Sequence, residues 1–142
     1  MQFIFWDHFK AIRDDDGDTT PSRRVVNLAR LLAHLVCGFH MPMAVLKPID
    51  TTDLNASTIL FLATFFMALF STKIPEDSYQ IVLDRVATTK DFATVRDIIL
   101  FFLQSHLKQV PSDMKQRRKK AISTMSEMRV LDVSAGLEGE GV

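Results

Sequence analysis

The stretch TILFLATFFMALF, residues 58 to 70, has no charge and only two hydroxyls, and it limits what the chain can fold into. A membrane-crossing helix needs about 18 or more consecutive apolar residues. This run is closed by Ser71, Thr72 and Lys73, and Asp53 and Asn55 stand just before it. It is therefore too short to span a bilayer and reads as a helix apolar on every side, enclosed by other helices of the same fold. At 142 residues the chain suits one domain, a size that buries about 68 to 70% of the unfolded surface. Seventeen basic and seventeen acidic residues cancel, so any electrostatic partner is met by a local patch and not by a global field. One cysteine, Cys37, cannot form an intrachain disulfide, and no charged and apolar leader opens the sequence. An intracellular protein is expected.

Apolar spacing predicts helices almost throughout. Phe5, Trp6, Phe9 and Ile12 form one stripe of an opening helix, followed by the polar run Asp14 to Pro21, a loop by composition. Its resemblance to a calcium loop fails, because Ile12 and Arg23 would stand where acidic ligands belong. Ser22 can cap a second helix whose polar residues Arg23, Asn27, Arg30 and His34 make one stripe, with Gly38 as the left-handed residue that ends it. Pro42 and Pro48 bracket a helical turn, and Thr52 or Asp53 is placed to cap the apolar helix. Pro75 can begin the next, with Glu76 and Asp77 at the positive end of its dipole and Tyr79, Val82, Leu83 and Val86 facing inward. Asp91 can cap a further helix that buries Phe92, Val95, Ile98, Ile99, Phe102 and Leu103. Past Pro111 a helix capped by Ser112 has a thin stripe of Met114, Ala121, Met125 and Met128. These signals divide the chain into a helical domain over 1–110, a basic helical extension over 111–130 and a disordered tail over 131–142.

No glycine-rich phosphate loop, nucleophile elbow or paired zinc ligands occur, so no catalytic residue, metal site or cofactor is assigned and an enzyme is not expected. His34, Cys37 and His40 spell H-x-x-C-x-x-H, but Gly38 interrupts the helix before His40 and no fourth ligand is near in sequence. The run KQRRKK, Lys115 to Lys120, is the strongest local signal. It can act as an import signal, a phosphate-binding patch or a solvated helix face. Were all five cations to meet RNA phosphates, log K would change with log salt by about −3.5 to −4.5.

FIFWDHFK, SRRVVNLARLLAHLV and MPMAVLKPID, at these separations, resemble the MA-three domain of nucleolar proteins of the Sgd-one and Nom-one type, which carry a middle domain of initiation factor four-G upstream. Trp6-Asp7, Asn27-Leu28 and Val45-Leu46-Lys47 carry the resemblance, which covers residues 2 to 110. It implies an all-α fold of HEAT-like antiparallel helical hairpins and places the chain in the C-terminal part of a longer protein. It further implies a non-catalytic factor of small-subunit ribosome biogenesis in the nucleus and nucleolus, with pre-ribosomal proteins and rRNA as partners. Neither a membrane nor a small-molecule substrate is implied. The cations Lys115, Arg117, Arg118, Lys119 and Lys120, with Arg23 and Arg30, are the candidate contacts to RNA or an acidic protein. Other MA-three domains dock a DEAD-box helicase through acidic helix ends, for which Glu76, Asp77 and Asp84 are the candidates here. The helicase contact of this type is attributed mainly to the upstream domain. The alternative implied is regulation of such a helicase in splicing or translation.

Overall fold

The computed structural model describes residues 2–13 and 22–140, and the acidic run from Asp14 lies outside them. Among the described residues the fold is all-α: α1 (Gln2–Arg13), α2 (Ser22–Cys37), α3 (Ala56–Phe70), α4 (Glu76–Thr88), α5 (Ala93–Ser105) and α6 (Lys115–Glu140), with short 3₁₀ turns before α3, α5 and α6. Helical hairpins organise it, with α2 packed along α3 and α5 along α6. No described helix is long and apolar enough to cross a membrane.

The apolar run becomes α3, whose Phe61, Leu62, Phe65, Phe66, Leu69 and Phe70 are buried. Its rings join the other helices. Phe61 meets Phe9 of α1 edge-on at 5.1 Å, Phe66 stacks on Phe102 of α5 at 5.7 Å, and Phe70 meets Tyr79 of α4 at 6.1 Å. Such pairs add about 0.5 to 1.5 kcal/mol each beyond the area they bury. Enclosure is not complete, however. Leu60, Ala63 and Met67 are only half-buried, because the neighbouring helices cover the rest of the cylinder and leave this strip nearer the surface.

The stripes expected on α1, α4 and α5 are the ones that turn inward, with Trp6 and Phe92 at their half-buried margins. Trp6 also donates its indole N–H to the Val45 carbonyl at 3.1 Å, tying α1 to the turn after Pro42. On α6, Ala121 and Met125 are buried and Met128 is half-buried, as is Met114 in the 3₁₀ turn before it. The helix continues past residue 130 to Glu140, so the stretch 131–142 expected as disordered is helical over most of its length. Helix propagation costs less than nucleation, so α6 runs on through Gly136 and Gly139, residues that by themselves disfavour a helix.

Several ends differ from the sequence expectation. Asn55, not Thr52 or Asp53, caps α3: its side chain accepts from the Thr58 N–H at 2.8 Å and donates to the Ile12 carbonyl at 2.7 Å. Asp91 makes no cap, because a 3₁₀ turn over Lys90–Phe92 precedes α5 and puts Phe92 at its start. At the end of α2 the left-handed residue is Phe39 (φ 64°), not Gly38. The His40 N–H bonds to the Leu35 carbonyl at 2.8 Å and the Phe39 N–H to Val36 at 3.1 Å. That is the double bond of a Schellman ending, set one residue later than the glycine suggests.

Candidate interaction surface

A helix end leaves carbonyls without intrahelical partners, and a long cationic side chain from a neighbouring element can satisfy them. Three arginines do this. Arg96, buried on α5, donates to the carbonyls of Val86 and Thr89 at the end of α4, at 2.9 and 3.0 Å. Arg118, half-buried, donates to Leu107 at 2.7 Å and Leu103 at 3.1 Å, at the end of α5. Arg117 reaches furthest. Its guanidinium bonds to the carbonyls of Ser71 at 2.8 Å, Ile74 at 2.7 Å and Leu69 at 3.4 Å, and its Nε meets the Glu76 carboxylate at 3.0 Å. It also lies 5.1 Å from the centre of the Tyr79 ring, whose hydroxyl donates to the Arg117 carbonyl at 2.6 Å.

The run KQRRKK therefore has two fates. Arg117 is 8% exposed and its donors are engaged inside the fold, so it pins the start of α6 to the α3–α4 connection and is turned away from the surface. Arg118 is likewise turned toward α5. Lys115, Lys119 and Lys120 are exposed, and Lys120 leans on the Gln80 side chain. Gln80 in turn donates to Asp84 at 2.7 Å. The acidic and basic candidates are thus neighbours: α4 and α6 lie against each other, Glu76 pairs with Arg117, and Asp84 connects to Lys120 through Gln80. Asp77 stays exposed.

The polar stripe of α2 is exposed at Arg23, Asn27, Arg30 and His34. Arg23 borders a shallow cleft with Leu28 and Leu31. Arg30 and His34 line a separate open groove of about 910 Å³ together with Met67 and Ala68 of α3, Lys73 and Met114. The groove thus brings together cations from α2 and the α3–α4 connection, and Lys115 follows Met114 directly in sequence. Lys73 was not singled out in the sequence, since an isolated lysine after an apolar run reads only as a helix terminus.

Cys37 also lines this groove. Burial pushes its thiol up from 9.0 to about 11, with nearby Arg117 opposing the rise. Burial raises the Tyr79 hydroxyl too, again against Arg117. The half-buried thiol is protonated at neutral pH, the opposite of an activated nucleophile. Among the described residues no three His, Cys, Asp or Glu side chains are placed to hold a metal ion.

No family model matches the chain, and no solved structure matches it. Two relatives do. "Suppressor of glycerol defect protein 1" of Schizosaccharomyces pombe is 39% identical over 69 residues, covering 46% of this chain and 9% of that protein. "Nucleolar MIF4G domain-containing protein 1" of the mouse is 27% identical over 103 residues, covering 72% of this chain and 11% of that protein. The chain spans about a tenth of the length of these relatives. They bear out the resemblance to the Sgd-one/Nom-one type, and the mouse relative carries a nucleolar name.

Proposed function

We propose that this relative of the Sgd-one/Nom-one type proteins is a non-catalytic interaction module of a ribosome biogenesis factor. In this role it helps anchor the factor in a small-subunit precursor through rRNA or an acidic protein. The observation that carries the reading is the division of the basic run. Arg117 fixes the first turn of α6 to the core, and the lysines on either side of it are held outward on a rigid support. Ammonium groups displayed this way suit phosphates or carboxylates without demanding a particular sequence. With three lysines exposed and not five cations, the salt slope on single-stranded RNA falls to about −2.

The nucleolar name of the mouse relative supports the setting, and the all-helical hairpin fold suits a scaffold whose rigid outer faces meet different partners. The test is co-sedimentation of the tagged full-length protein with small-subunit precursors, comparing the natural sequence with Lys115→Glu/Lys119→Glu. Migration with the precursors, weakened by the double substitution, is expected. Free migration of the natural protein at low salt overturns the proposal.

A further inference from the structure

A second surface lies away from these lysines. Between the end of α2, the turn after Pro42 and the last turns of α4 is a cleft of about 430 Å³. Val36, Met43, Val82 and Val86, all buried, form its floor, and Phe39 and Arg85 stand at its rim. Among the described residues that line it none carries a carboxylate, whereas Arg85 and His40 bring cationic or polar nitrogen. Lys47 lies 5.6 Å from the ring centre of Phe92, which closes the cleft, and the Arg85 guanidinium lies 4.7 Å from that of Phe39.

Phe39 is the unusual residue. A left-handed backbone is comfortable for glycine and costly for a bulky side chain, yet Phe39 adopts it with Gly38 immediately before it. The helix ending fixes this backbone through the Phe39 and His40 N–H bonds, yet it leaves the ring 43% exposed. Backbone outliers of this kind cluster at sites that engage another molecule. Here one sets an aromatic ring beside an apolar cleft with a guanidinium over it.

We propose that this cleft receives an acidic peptide segment of a partner protein, with one large apolar side chain seated between Phe39 and Phe92 and flanking carboxylates on Arg85 and Lys47. The chemistry of the lining favours a peptide over RNA. The floor is aliphatic and thioether, adaptable to a branched or aromatic side chain, while base stacking needs an open flat face. One face of each ring is already covered by a cation. The inference is independent of the lysines of α6.

The test uses fluorescence anisotropy with a labelled peptide of glutamates flanking a central Phe-Leu pair. A peptide with Gly-Ser at its centre and a labelled oligouridine serve as comparisons. Saturable binding of the first is expected, with affinity at least tenfold lower for the Gly-Ser peptide and for the variants Phe39→Gly and Arg85→Gln. Lys115→Gln/Lys119→Gln should leave the difference between the two peptides in place. Phe39→Gly relieves the backbone, and thermal melting by circular dichroism verifies that both cleft variants fold. Three results overturn the proposal: no saturation, equal binding of the two peptides, or unchanged affinity in Phe39→Gly. Oligouridine binding lost in the same variants while the peptide stays inert reassigns the cleft to nucleic acid.

Discussion

α3 and the first turns of α6 are both anchored in the same core, but by different physics. α3 is held by area: its phenyl rings touch rings of α1, α4 and α5, and none of these contacts depends on a single donor or acceptor. The start of α6 is held by direction, through one guanidinium that joins three carbonyls and a carboxylate of the α3–α4 connection. Apolar burial is tolerant of local detail, whereas a buried charge demands that every partner be in place. The comparison teaches that a basic run on a helix is not one feature. Neighbours in KQRRKK differ in role because they point to different sides.

The largest effect should come from the area-held region. Phe66→Ala removes a fully buried ring that touches Phe65, Phe70 and Phe102, and a loss of about 3 to 5 kcal/mol is expected in urea unfolding. Arg117→Lys comes next. A lysine cannot reproduce the fork geometry, and the orphaned carbonyls should cost on the order of 3 kcal/mol in the same measurement. An Arg117→Lys variant as stable as the natural sequence would break the comparison at its directional side. The acidic face sharpens it further. Reversing Glu76 disturbs the Arg117 contact as well as any docking, so Asp77→Lys is the cleaner probe of a helicase contact; its own stability change should stay within about 0.5 kcal/mol.

Cys37 gives a reading of the same junction in solution. A rise from 9.0 to about 11 lowers the thiolate fraction at pH 8 by on the order of a hundredfold, so iodoacetamide should alkylate the folded protein far more slowly than the urea-unfolded chain. The linkage has a definite sign. Folding keeps the proton on Cys37, so its contribution to stability is whole below pH 9 and is lost as pH rises toward 11. Fast alkylation of the folded protein would show that the Cys37 thiol is not shielded from water within the groove.

How much of this was legible in the sequence follows the same division. Apolar periodicity located the inward faces of α4 and α5, since a helix repeats its buried side every three or four residues whatever it packs against. The role of Arg117 was not legible. It sits among identical-looking cations, and its acceptors belong to residues 69 to 76, more than forty positions earlier. Arg96 was missed for the same reason, being a charge within an otherwise apolar face whose partners close the preceding helix. The caps Asn55 and Phe39 shifted by one to three residues from the expected positions because several adjacent residues have capping chemistry, and tertiary contacts select among them. For Asn55 the selecting contact is the Ile12 carbonyl.

The account rests most directly on the unequal roles within KQRRKK, and urea unfolding of Arg117→Gln beside Lys115→Gln/Lys119→Gln tests it. Loss on the order of 3 kcal/mol in the first and under about 0.5 kcal/mol in the second is predicted. Equal losses, or a larger loss in the lysine variant, would contradict it.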